Sequence, residues 1–212
     1  MVNPGRLLMT QKARVKLAKR TAKCPACGGR VEFRLSTSLV AVCEYCNSAV
    51  ARTDRGVESH GKIADLAETS SPLGLGTQGK WNEKTLRLVG RIQYRHAAGG
   101  VWDEWYLALA DGKWGWLAEA QGKFYLTFHR AVSADSTIPA YGDLSPGDSL
   151  KLGNWGEFTV NEVGVATFHA AEGELPFDPL AAAEHRTADL SGPNGAFATF
   201  DYRDGGPEVY LG

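Results

Sequence analysis

The 212-residue chain has no apolar run approaching the roughly 18 residues that a membrane-crossing helix needs. Its only apolar stretch near the N-terminus, "LLM", is too short for the core of a signal peptide. The expectation is therefore a cytoplasmic protein with no membrane span. Methionine is scarce, at two residues, while glycine reaches 25, which favours turns and strands over long helices. There is no glycine-rich phosphate loop opening a helix and no nucleophile elbow. The five histidines (His60, His96, His129, His169, His185) are scattered, with none paired at i, i+4. Each reads as a solvated or hydrogen-bonded residue, so no catalytic residue is assigned and an enzyme is not expected.

What the chain does contain is unevenly distributed. Residues 1–34 carry nine Lys or Arg against the single acid Glu32, whereas the rest carries 14 bases and 23 acids. A basic head on an acidic body suits nucleic-acid contact by Arg14, Lys16, Lys19, Arg20 and Lys23. The same pattern also describes a frayed basic tail over residues 1–20 that balances charge within the molecule. Met9 is an alternative start.

All four cysteines fall in one pattern, "CPACGG" (Cys24, Cys27) and "CEYC" (Cys43, Cys46), spaced C-x2-C-x15-C-x2-C. Two residues between thiolates let a tight turn aim both sulfurs inward, and two such knuckles on a hairpin complete a tetrahedron. "RVEFRLS" and "LVAVC" alternate as the intervening strands. Disulfides have no secretion signal to support them, and a redox pair does not explain two copies at this spacing. The reading is a zinc ribbon over residues 21–53 with one structural Zn(2+), closed to substrate by its four thiolates.

Residues 54–72 read as a linker ending in Ser-Ser-Pro, with room for one strand or one turn of helix. From residue 73 the texture becomes short alternating runs with Gly-rich turns, including Asp111-Gly112 between two strands. Only "FDPLAAAEHR" looks briefly helical, with a loop as the alternative. Residues 79–95 and 153–169 also align without a gap, at six identities in 17: Gly79/Gly153, Trp81/Trp155, Glu83/Glu157, Thr85/Thr159, Val89/Val163 and Gly90/Gly164. Tyr94 falls opposite Phe168. The fold expected is mostly β: the ribbon, then a β-sandwich or barrel-like domain over 73–212 built from two similar units, about 73–130 and 146–212. Trp81 and Trp155 should be core, and Gly90 and Gly164 equivalent bulges or close strand crossings.

Four of the six tryptophans lie in residues 102–116, beside Asp103, Glu104, Asp111 and Glu119. By strand alternation Trp102, Glu104 and Tyr106 share one face and Asp103, Trp105 and Leu107 the other, while in the next strand Trp114 and Trp116 share a face with Gly115 and Leu117 opposite. One face must be buried. The other offers a candidate partner surface of Trp102, Glu104, Trp105, Tyr106, Trp114, Trp116 and Glu119, with Glu104 and Glu119 a conceivable carboxylate pair.

"GRIQYR", "WDEWYL", "DGKWGWLAEAQGKF", "GELP" and "FATFDY…VYLG" resemble the bacterial domain of unknown function 4178, commonly preceded by a zinc ribbon. The resemblance spans about residues 23–212 and brings no established activity. It implies genomic company with spermidine-synthase-like enzymes, a decarboxylase-like polyamine protein and small membrane proteins. It thus implies an accessory role in a stress or membrane-associated system, and a polyamine or basic peptide as ligand for the tryptophan surface. The function expected is a non-catalytic binding or adaptor protein with a protein partner. The alternatives are a nucleic-acid binder acting through the basic head, and an enzyme or polyamine/peptide binder using the Trp/Glu hairpin.

Overall fold

The computed structural model describes residues 8–9, 20–120, 123–131, 137–181, 184–203 and 206–212. Its strands are β1 (Leu8–Met9), β2 (Arg20–Lys23), β3 (Arg30–Phe33), β4 (Val40–Val42), β5 (Ser48–Thr53), β6 (Gly56–Lys62), β7 (Gln78–Trp81) and β8 (Lys84–His96). There follow β9 (Val101–Leu109), β10 (Trp114–Ala120), β11 (Lys123–Arg130), β12 (Ser149–Lys151), β13 (Glu157–Leu175), β14 (Glu184–Ser191), β15 (Phe197–Asp201) and β16 (Glu208–Leu211). The only helical pieces among the described residues are three short 3-10 turns, and no described helix could cross a membrane. The described residues of the "FDPLAAAEHR" stretch are not helical: 177–181 form bends and turns, and Glu184 already begins β14, paired with Thr167 of β13.

The β-rich expectation holds, and the two-unit reading acquires a topology. Strands β8-β9-β10-β11 form one antiparallel meander and β13-β14-β15-β16 another. They join antiparallel at both margins, β11 to β16 and β8 to β13, so eight strands close into a ring. Closure leaves none of these eight ladders with a free edge to aggregate. Short strands β7 and β12 precede β8 and β13 in the same relative place and pair with them.

The hydrophobic pattern follows this symmetry. Leu86, Leu88, Trp105, Leu107, Leu109, Leu117 and Phe128 make a core within the first unit. Phe158, Val160, Leu190, Phe200, Val209 and Leu211 belong to its counterpart in the second. Trp81 and Trp155 each pack against the core of their own unit, but both are half-buried at its rim. Trp155 sits on the 3-10 turn Gly153–Trp155, where Trp81 ends a strand. Each flanks a turn, so one side of its ring stays open.

The two glycines also part company. A Cβ on Gly90 would lie 1.7 Å from the Glu174 carbonyl oxygen, a close crossing. One on Gly164 meets only the Glu162 carboxylate, at 3.6 Å. The bulges fall at Val89 in β8 and at Asn161 and His169 in β13, and none of these aligns with another in the repeat.

A third core is shared. It unites Ile92, Tyr94, Tyr106, Trp116, Ala166 and Tyr210 with Leu35, Val40, Ala49, Ala51 and Ile63 from the N-terminal region. The N-terminal region is therefore not a separate domain: β4 pairs with the end of β13, making β4-β5-β6 a continuation of the same sheet. Residues 54–72 are not a free linker either. Gly56–Lys62 is a strand on β5, and the chain then crosses the β-domain satisfying its buried polar groups. The Ala67 amide donates to Gln93 at 2.8 Å, Thr69 donates to Asp103 at 2.7 Å and Ser71 donates to Glu119. Burial of Gln93 and Asp103 without such partners would cost on the order of 1–3 kcal/mol each. In the basic tail, Leu8 and Met9 pair with β7.

Candidate metal centre and binding cleft

Each cysteine pair sits on a tight turn. The Gly28 amide donates to the Cys24 carbonyl at 2.8 Å, and the Asn47 amide to that of Cys43 at 2.9 Å. Gly28 (φ 77°) and Asn47 (φ 54°) each follow the second cysteine of a knuckle and take the left-handed backbone. Glycine does so without strain, and asparagine is among the few other residues that tolerate it. The turns bring Cys24 and Cys46 sulfurs to 3.7 Å and those of Cys27 and Cys43 to 3.6 Å. All four sulfurs lie within 4.8 Å of one another. A tetrahedral thiolate site with metal–sulfur bonds near 2.3 Å has edges of about 3.8 Å. The cluster fits one metal ion, with no disulfide formed.

The ribbon is anchored by Glu174 of β13, which has no exposed surface. Its carboxylate accepts the Arg34 amide at 2.6 Å, the Leu35 amide at 3.1 Å and the Ser38 hydroxyl at 2.8 Å, with Arg34 Nη1 at 3.2 Å. All four donors belong to the turn joining β3 to β4. Beyond them Thr37 Oγ1 lies 2.7 Å from the Tyr106 hydroxyl.

The turn so held forms one wall of a cleft of about 300 Å³, at the lower end of the range for small-ligand sites. Thr37 and Leu39 come from the ribbon, Trp114 and His129 from the first unit, and Asp201, Arg203, Glu208 and Tyr210 from the second, with Pro176 and Phe177 between them. Asp201 Oδ2 accepts Arg203 Nη2 at 2.8 Å, and Oδ1 lies 3.2 Å from His185 Nε2. Burial alone would raise the Asp201 pKa, but the His185 hydrogen bond and the Arg203 charge outweigh it and hold it below the usual carboxylate range. Burial pushes the Tyr210 phenol up, and its hydrogen bond to Glu208, at 2.8 Å, adds to this. No serine, threonine or cysteine meets His185, so the His–Asp contact has no nucleophile to activate among the described residues.

The tryptophan hairpin is core on both faces. Trp105 and Tyr106 are wholly buried, Trp116 nearly so, and Trp102 and Trp114 half-buried. Tyr106 pairs directly with Trp116, their rings 5.3 Å apart. Glu104 accepts the Trp102 indole N–H at 3.2 Å. Since Ala118 is the partner of Glu104, Glu119 points to the opposite face, and the two carboxylates make no pair. The exposed tryptophan surface expected there is absent because the segment carrying Thr69 and Ser71 covers one face and the shared core the other. Trp114 alone reaches the cleft. Of the basic candidates, Arg20 and Lys23 are exposed on β2, while Arg14, Lys16 and Lys19 lie outside the described residues.

Sequence reasoning passed over Glu174, His185, Asp201, Arg203, Glu208 and Tyr210. Glu208 and Tyr210 do carry i, i+2 spacing within β16, which puts them on one side of the strand, whereas Arg203 lies in the turn just past the end of β15 at Asp201. Nothing in the spacing says that this side faces the ribbon.

A family model described as Domain of unknown function (DUF4178) matches residues 74–212, both meanders but not the cysteine cluster. No curated protein and no solved structure matches the chain. With the entire β-domain matched, the chain belongs to the DUF4178 family.

Proposed function

We propose that this protein is a non-catalytic binding or adaptor module in which a structural zinc ion holds the ribbon as a fixed wall of the cleft. One observation carries the reading. Three separate parts of the chain converge on the cleft with aromatic and charged side chains, and the one aliphatic hydroxyl among the described lining residues, that of Thr37, is tied to the Tyr106 hydroxyl at 2.7 Å. Four thiolates complete the coordination of zinc and leave no place for a reacting water, so the ion stabilises and does not catalyse. Free thiols suit a reducing, cytoplasmic setting, and an accessory role is what the family resemblance implies. The reading is tested by a photo-crosslinking residue at Leu39, which is 53% exposed on the cleft lip, with Phe124, 40% exposed, as control. In source cells a discrete adduct is expected from position 39 and not from 124. Equal labelling at both positions would defeat it.

A second reading, nucleic-acid contact by the basic head, is favoured by one pairing: Lys23 and Arg30 are direct cross-strand partners. Glu32 meets Arg30 at 3.0 Å, so the positive surface that a phosphate would meet there is carried chiefly by the exposed Lys23 and Arg20. Binding to RNA or DNA that weakens steeply with salt, and loses slope in Lys23→Gln, is the expected signature.

A further inference from the structure

The cleft holds two pairings of aromatic rings with charge, and only one of them is complete. Arg203 lies with its guanidinium 3.4 Å from the centroid of Phe177, and Asp201 neutralises it at 2.8 Å. That pair supplies both the cation and the anion of its own site. The other arrangement has walls and an anion without a cation. Trp114 and Tyr210 stand with ring centroids 6.3 Å apart and planes inclined at 58°, forming a corner. His129 meets Tyr210 edge-on at 5.6 Å and extends the wall. Glu208 sits at the rim, one carboxylate oxygen accepting the Tyr210 hydroxyl at 2.8 Å. Among the described residues no Lys or Arg makes an ion pair with Glu208.

Aromatic faces carry negative potential and attract ammonium groups, most strongly where a carboxylate adds its charge. An anion would instead sit beside Glu208 and compete with Asp201 for an arginine already engaged. Leu39 and Pro176 add apolar surface suited to an alkyl stem. Resting on the reading of the cleft as a binding site, we propose that it recognises an aliphatic ammonium group presented as a lysine side chain of a partner protein. Trp114 and Tyr210 contact the stem and the charge, and Glu208 supplies the counter-ion.

The experiment follows the Trp114 indole N–H signal of the full-length, metal-loaded, 15N-labelled protein, assigned with Trp114→Phe. Three probes are titrated: N-acetyl-lysine N-methylamide, its norleucine counterpart with the same stem but no charge, and the glutamate counterpart. The lysine probe is expected to shift the signal saturably, with norleucine at least about fivefold weaker. Glu208→Gln should weaken the lysine probe by a similar factor and leave norleucine unchanged. Equal binding of lysine and norleucine, a lysine response unchanged in Glu208→Gln, or no saturable shift at roughly 100 mM probe would overturn the proposal. Preferential binding of the glutamate probe would overturn the ammonium assignment while leaving the cleft a binding site. The Leu39 crosslink decides that broader reading separately.

Discussion

Tyr94 and Phe168, the aligned aromatics of the two repeats, are cross-strand partners in the β8–β13 ladder. Equivalent positions meet in this way only where two copies face each other across a two-fold relation, as at an isologous interface. The duplicated unit thus does within one chain what a dimer does between two. Each meander buries one face in a core of its own and joins its long strand to that of its partner.

Gly90 lies beside this junction, where the Glu174 backbone crosses. Gly90→Ala should cost about 2–3 kcal/mol or prevent folding, because the added methyl lies 1.7 Å from a carbonyl oxygen that strand pairing holds in place. Gly164→Ala, at the aligned position, should change stability by under about 0.5 kcal/mol. Urea denaturation of the two variants makes the comparison, and similar costs would contradict it.

Glu174→Ala should destabilise by roughly 3–5 kcal/mol, since two backbone amides and the Ser38 hydroxyl lose their acceptor inside the protein. The local signature is as specific as the size. Amide hydrogen exchange should accelerate at Arg34 and Leu35 and spread to Thr37 at the cleft wall.

Purified without added metal, the protein should carry about one equivalent of zinc by elemental analysis. Less than about a tenth of an equivalent, with intact thiols, would contradict this. Because ribbon residues Leu35, Val40 and Ala49 share a core with Tyr106 and Trp116, Cys24→Ser should lower the melting temperature of the whole molecule in one transition. A ribbon folding separately would give two transitions, with the tryptophan signal unmoved by the first.

Asp189 gives the pH dependence. Dense surroundings raise its pKa from 3.8 to about 6, more than the Thr199 hydrogen bond offsets, although its side chain keeps some solvent contact. A carboxyl with a raised folded-state pKa stabilises the fold in its protonated form. That contribution is full below about pH 4 and is lost as pH rises through 6. Asp189→Asn should therefore add stability at pH 7, on the order of 2–3 kcal/mol, and little at pH 4. Thermal melts at the two pH values measure the difference, and equal effects at both would exclude it.

Local chemistry was enough to read much of this protein from its residues. The C-x2-C pairs specify their knuckles because the turn and the thiolates lie within six residues. Asp111-Gly112 specifies its hairpin, closed by the Leu109 amide on the Lys113 carbonyl at 2.8 Å. The faces of the tryptophan strands follow from alternation, and the matching residues of 79–95 and 153–169 disclose the duplication. Tertiary structure decided what covers those faces. Alternation places Trp105 and Tyr106 on opposite sides of β9, yet it is blind to the segment carrying Thr69 and Ser71 that covers one side and to the shared core that covers the other. Nor does a linear pattern reveal that Glu174 would hold a turn 140 residues away, or that Leu39, Trp114 and Tyr210 would line one cleft. Those contacts depend on how two meanders and a ribbon close on each other, and closure is a property of the whole chain.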